Sequence, residues 1–188
     1  MSEDCSQVRA MDPEDCSQVR TMAPEITIRP ARYDEVDATA EIAVSAYRAE
    51  GLLDDDSHYE AVLRDATTRY EQAELLVAVD GDDTMLGTVT VAPSGTPLSQ
   101  IAGDGELEFR MLSTSVAARG RGVGELLVHA VIDRAREFGC HRVVLCVVDE
   151  NAKAIRLYDR LGFVRLPERD WKPVPDVRLI AFGLDVDG

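Results

Sequence analysis

Basic residues are scarce in this chain: 20 lysines and arginines stand against 35 aspartates and glutamates, a formal net charge of −15 over 188 residues. So acidic a surface repels nucleic-acid phosphates and anionic membranes, which argues against both as partners. It suits a cationic small molecule or a basic protein segment, or it serves solubility alone. No apolar run approaches the ~20 residues that cross a bilayer. No basic-then-apolar leader opens the sequence, which points to the cytoplasm. Cysteine is sparse as well. Cys5, Cys16, Cys140 and Cys146 form no CxxC pair and no Cys/His spacing that suits zinc, so reduced thiols are the default reading. His58, His129 and His141 are dispersed and read as surface residues, and no metal site is indicated. Two phosphate-binding signatures are missing too. No Gly-Lys-Ser/Thr triplet ends a Walker loop, and the dinucleotide pattern that begins Gly120-x-Gly122 fails at Glu125.

What is present is the length of one domain with a tail and, at 45% hydrophobic residues, enough apolar material for a core. The tail is residues 1–21, where EDCSQVR occurs at Glu3–Arg9 and again at Glu14–Arg20. Two copies at so short a period build no solenoid, and the segment has little to bury. The domain proper is taken as residues 22–188. A short strand at Ile26–Ile28 precedes a helix from Tyr33 to Ala49, with Val36, Ala40, Ala43, Val44 and Tyr47 on one face and Gly51 ending it. Asp54–Asp56 reads as a solvated N-cap region or as a metal or amine contact. It leads to a second amphipathic helix with Tyr59, Val62, Leu63, Ala66 and Tyr70 on one face.

Glu74–Val79 and Met85–Val91 are strands joined by an Asp-Gly turn, and Pro93–Gly105 is a polar loop near a possible substrate entrance. Leu107–Val116 is a strand. A helix follows that presents Val123, Leu126, Leu127, Ala130, Val131 and Phe138, with Gly139 as its C′ cap. Arg142–Val148 is apolar enough for a strand covered on both faces. A helix at Asn151–Leu161 and strands at Phe163–Leu166 and Val177–Leu184 complete the order β-α-α-β-β-β-α-β-α-β-β. The fold class is α/β, one mixed sheet of about six to seven strands with about four helices on its two faces.

The stretch that carries chemistry is Glu108–Gly124, a strand, an Arg/Gly loop and a helix start. It aims unpaired N–H groups and the positive end of a helix dipole at one spot, where Arg119 and Arg121 add charge. Arg119-x-x-Gly122-x-Gly124 alone is a weak signal, since such glycines also serve a tight strand-to-helix turn. Downstream, Asn151 and Tyr158 lie two helical turns apart on one face, followed by Gly162-Phe163.

Together these residues resemble the GNAT superfamily of acetyl-CoA-dependent N-acyltransferases: the loop is similar to its pyrophosphate motif, and Asn151…Tyr158…Gly162-Phe163 to its second signature. The resemblance covers roughly Glu25 to Val186. It implies acetyl-CoA as co-substrate, with the pyrophosphate on Arg119, Gly120, Arg121, Gly122, Val123 and Gly124. It also implies that the pantetheine arm pairs like an extra strand with Leu112, Ser113 and Thr114. Glycine lets the backbone approach the phosphates with no Cβ in the way.

Acetyl transfer to an amine needs a proton acceptor for an ammonium of pKa ~10, donors for the oxyanion, and a proton for the departing thiolate. Tyr158 suits the last step, because a phenol stays protonated at neutral pH; its alternative is a core aromatic. Asn151 hydrogen-bonds the pantetheine, caps its helix, or both. Glu108 sits 11 residues before Arg119, where several relatives carry a glutamate base, or it is a strand residue paired with Arg110. Glu106 and Glu108 share a face with Arg110 and Leu112 by simple alternation. Ribosomal-protein acetyltransferases place the base on the next strand, where this chain has Cys146, which argues against that subgroup. Cys146 reads as a small buried hydrophobe.

The expected activity is direct transfer, in a ternary complex, to a primary amine of a small cationic acceptor, with Asp54–Asp56 and Glu106 as attracting carboxylates. Protein N-terminal or lysine acetylation, or a non-catalytic CoA-binding sensor, are the alternatives. Specificity is expected in the first two helices, the Pro93–Gly105 loop and the Trp171–Asp176 loop. Homodimers are frequent in the family, so a homodimer is a possible state.

Overall fold

The strands at Glu74–Val79 and Arg142–Val148 read as apolar runs because both their faces are covered. The computed structural model describes residues 25–53 and 58–186. The repeated tail, Cys5, Cys16 and Asp54–Asp56 therefore lie outside the described residues.

Strand β1 (Thr27–Pro30) pairs antiparallel with β2 (Glu74–Val79), β2 with β3 (Met85–Pro93), and β3 with β4 (Glu106–Thr114). β4 then runs parallel to β5 (Arg142–Val148), which pairs antiparallel with β8 (Val177–Asp185). The far edge of β8 is shared by β6 (Val164–Arg165) and β7 (Trp171–Val174). The described sheet thus has eight strands. β7 is the strand that its two neighbouring prolines hide. It lies on a sheet edge, where Pro173 need not donate to a ladder.

Helix α1 (Val36–Ala49) lies on one face with α2 (His58–Arg64) and α3 (Ala66–Gln72). The long second helix predicted from periodicity is two helices. Asp65 interrupts it and caps α3, its carboxylate accepting from Thr68 N at 3.1 Å. Leu63, Ala66 and Arg69 are buried there, while Val62 and Tyr59, expected inside, are exposed.

The opposite face holds α4 (Val123–Glu137) and α5 (Ala152–Arg160). α4 buries Val123, Leu127, Val128, Val131, Ile132 and Ala135 against Val89, Val91, Leu107, Phe109, Val143 and Leu145. Leu126 and Phe138, expected to face inward, are exposed. The i, i+4 rows through 123, 127, 131 and 135 and through 128 and 132 fix the buried stripe and leave them outside it. Among the described residues no helix is long and apolar enough to cross a membrane.

Candidate active site

Two irregularities in β4 shape the site. β4 and β5 pair only at their starts, Glu106 with Arg142 through Glu108 with Val144, whereas β5 stays paired with β8 as far as Val148. Past Glu108 the two parallel strands diverge, and β4 keeps a ladder only on its β3 side.

The second irregularity is a bulge. Thr88 pairs with Ser113 but Thr90 with Arg110, so Met111 and Leu112 together oppose Val89. Met111 adopts φ +54°, a left-handed conformation that costs a non-glycine residue about 1 kcal/mol, and its carbonyl accepts from Ser113 Oγ at 3.1 Å. The bulge overturns the alternation read from sequence. Met111 packs with Ala43, Val44, Leu53 and Leu63 under α1 and α2, while Leu112 packs against the opposite core and does not share a face with Glu108.

β4 leads through a 3₁₀ turn (Val116–Ala118) to Arg119, Gly120, Arg121 and Gly122. Gly120 and Gly122 adopt φ +78° and +75°, a region that favours glycine, and Gly122 is the N-cap of α4. The first intrahelical bond runs from Leu126 N to Gly122 O, so the N–H groups of Val123, Gly124 and Glu125 precede the ladder. Gly124 is different: a Cβ there would sit 3.5 Å from Leu157 and 3.8 Å from Thr114, ordinary contact distances. Arg119 and Arg121 are exposed, and their side chains make no ion pair or hydrogen bond among the described residues. In a chain whose other arginines mostly pair with carboxylates, two free guanidiniums beside a helix N-terminus form an anion cradle.

α5 closes the other wall. Asn151 caps it, accepting from Ala154 N at 3.1 Å, and donates from Nδ2 to Glu50 Oε2 at 3.2 Å. Tyr158 is 5% exposed and packs among Phe109, Phe163 and Phe182, with ring centroids 5.8, 5.8 and 6.2 Å away. Burial, helped by the Glu50 carboxylate, raises its pKa well above that of a free phenol. The hydroxyl has no hydrogen-bond partner among the described residues.

Glu108 is 1% exposed, and its Oε2 accepts from Gln100 N at 2.6 Å, Ile101 N at 2.8 Å and Ser99 Oγ at 3.3 Å. Its Oε1 lies 3.9 Å from Arg110 Nε. The residue therefore holds the 99–101 loop onto β4, and only Oε1 is left for other chemistry. Glu106 is committed too, to Arg169 and Arg142, which removes it as an attractor for an acceptor amine. The Cys146 thiol is pushed up to about 11 by burial, so it is no nucleophile at neutral pH. Trp171 opens β7 and, with Glu168–Asp170 and Gln100–Gly103, lines a cavity of about 760 Å³.

Residues 36–163 match the model of the acetyltransferase (GNAT) family. The chain belongs to that family. An uncharacterised N-acetyltransferase of Schizosaccharomyces pombe is 34% identical over 103 residues, which are 55% of this chain and 59% of that protein. A mycothiol acetyltransferase of Saccharopolyspora erythraea is 30% identical over 123 residues, 65% of this chain and 37% of the relative. This chain thus spans about three fifths of the one and little more than a third of the other. Among solved structures, yncA from Salmonella typhimurium, solved with its cofactor acetyl-CoA, superposes with a TM-score of 0.61 at 24% identity. That match covers 87% of this chain and 95% of the neighbour, a likeness of fold.

Sequence reasoning missed the burial of Arg69, on α3. An i, i+3 step from Ala66, itself on the apolar face, places it inward, and that spacing was the available signal.

Proposed function

We propose that this GNAT domain, residues 22–188 with 1–21 as a tail, transfers the acetyl group of acetyl-CoA to a primary amine by direct attack within a ternary complex. The gap between β4 and β5, ending at the Arg119–Gly124 cradle, is the observation that carries this reading. A pantetheine arm laid along Leu112, Ser113 and Thr114 would take the ladder position that β5 vacates, with its pyrophosphate on the N–H groups of Val123 and Gly124 and on Arg119 and Arg121. Asn151, capping α5, would flank the arm.

The amine nitrogen attacks the thioester carbon, the carbonyl oxygen becomes an oxyanion, and the C–S bond then breaks to give an amide and CoA. A β4 N–H beside the Met111 bulge would serve the oxyanion. Tyr158, kept protonated by burial, is the proton donor to the leaving thiolate. Glu108 Oε1, or water held by it, is the acceptor of the ammonium proton. The amine is cationic until it loses that proton, which fits a domain as acidic as this one; cytoplasmic acetyl-CoA is its natural supply.

Calorimetric titration with acetyl-CoA, followed by free-thiol release with an amine panel, tests the proposal. Heat of binding and amine-dependent thiol are expected. No heat of binding overturns it, and binding with no thiol above background makes the domain a CoA sensor.

A further inference from the structure

Glu50 and Lys153 each stand at the unfavourable end of a helix. Glu50 is the C-cap of α1, its N–H donating to Ala46 O at 3.1 Å, and its carboxylate meets the negative end of the dipole. Lys153 lies in the first turn of α5, where an ammonium meets the positive end. Neither helix gains from the charge it carries, yet the two charges meet. Lys153 Nζ donates to Glu50 Oε1 at 3.0 Å, and Asn151 Nδ2 donates to Glu50 Oε2 at 3.2 Å. Both carboxylate oxygens are thereby tied to the start of α5.

These contacts join the two faces of the sheet. α1 packs on one face and α5 on the other. Side chains from opposite faces meet only through an opening in the sheet or past its end. Here the two coincide, because β4 and β5 part after Glu108 and Val144, and the gap runs to the end of β5 at Val148, just before Asn151. Glu50 therefore spans the mouth of the gap that the pantetheine arm would enter. Asn151 is held from both sides. Its Oδ1 accepts from Ala154 N at 3.1 Å, which fixes the amide with Nδ2 toward α1. The charge of Glu50 is also felt by the buried Tyr158 phenol.

The strap is weak. The side chains of Glu50 and Lys153 are 28% and 59% exposed, and one ion pair so wet, with one amide hydrogen bond, favours the closed arrangement by roughly three- to tenfold. A ligand can undo a preference of that size, and a binding measurement can resolve it.

We propose that Glu50 gates the entry of acetyl-CoA: strapped to Asn151 and Lys153 it closes the mouth of the β4–β5 gap, and the pantetheine arm displaces it and takes the Asn151 amide in its place. The inference rests on the acetyl-transfer reading and adds a regulation of that same site.

The test measures acetyl-CoA binding to the full chain, by calorimetry for affinity and surface plasmon resonance for rates, in the wild type, Glu50→Ala and Glu150→Gln. The side chain of Glu150 is exposed and makes no ion pair or hydrogen bond among the described residues, so Glu150→Gln removes a nearby negative charge and leaves the strap intact. Glu50→Ala should bind acetyl-CoA roughly three- to tenfold more tightly, through faster association at an unchanged dissociation rate. Glu150→Gln should gain less than half of that factor. The stoichiometry of each titration counts the competent protein, so partial unfolding of a variant does not enter its affinity. Unchanged or weaker binding in Glu50→Ala, a gain that lies in dissociation alone, or an equal gain in Glu150→Gln overturns the gate. If wild type and Glu50→Ala bind acetyl-CoA alike, the transfer reading survives that failure; if neither binds it, the transfer reading itself has failed.

Discussion

Glu106 and Arg169 meet in a two-pronged ion pair, Nη1 to Oε2 at 2.6 Å and Nη2 to Oε1 at 3.1 Å. The same carboxylate accepts from Gly103 N at 2.7 Å, so the start of β4, the loop before it and the turn before β7 are fastened at one point that is 4% exposed. Burial pushes the Glu106 pKa up, but Arg169, the Gly103 N–H and Arg142 outweigh it and hold the carboxyl below its ordinary range. Glu106→Gln removes the buried carboxylate that pairs with Arg169 and should cost about 3 kcal/mol, read as a shift in the denaturant midpoint at unchanged slope.

Asp170 gives the acid limit of the fold. The Arg165 guanidinium, the Ala181 N–H and Arg178 hold its pKa at about 2 against the opposing effect of burial. A folded pKa below the unfolded value stabilises the protein fully above about pH 4, and that contribution, ~2 kcal/mol, is lost as pH falls toward 2. Asp170→Asn should therefore flatten the dependence of stability on pH between about 4 and 2, measured by denaturant titration at each pH.

Arg119 and Arg121 have no partners to lose in the described structure, so their removal should leave the melting temperature within a degree or two. Arg119→Ala is expected to weaken acetyl-CoA binding roughly tenfold or more, with Arg121→Ala in the same direction, by calorimetry. Unchanged affinity in the double variant would remove the pyrophosphate from this loop.

The glycines of the loop separate into two kinds. Gly122→Val forces a β-branched residue to φ +75° and should cost about 1–2 kcal/mol as well as obstructing acetyl-CoA. Gly124→Ala adds a Cβ at ordinary distance from Leu157 and Thr114 and should leave stability unchanged. Weaker acetyl-CoA binding in Gly124→Ala at an unchanged melting temperature would show that this position is kept small for the ligand.

Tyr158→Phe keeps the ring among Phe109, Phe163 and Phe182 and removes only the hydroxyl. Turnover should drop 10²-fold or more with acetyl-CoA affinity retained. Tyr158→Ala instead empties a core position and should cost about 3–5 kcal/mol of stability. Equal turnover in Tyr158→Phe and wild type would limit Tyr158 to packing.

The loop proposed to hold the cofactor was legible because its physics is local. Glycine spacing, two arginines, a strand before and an i, i+4 apolar row after the loop are all adjacent in the chain. The bulge at Met111 was not, since no glycine or proline marks it and only pairing with β3 reveals the extra residue. The break at Asp65 was hidden because a polar residue between apolar ones reads as the wet face of a single helix. β7 was hidden by prolines that only an edge strand tolerates. Arg69 escaped notice because its burial depends on two helices and a strand far apart in sequence. The commitments of Glu106 and Glu108 depend likewise on loops that meet only in the fold.

The divergence of β4 from β5 leaves a length of strand edge unmatched inside an otherwise continuous sheet. Backbone amides along Arg110–Thr114 that face the gap should exchange with deuterium far faster than those facing β3, and slow when the gap is filled. Occupancy of the site could then be followed residue by residue in the backbone itself, without any assay of chemistry.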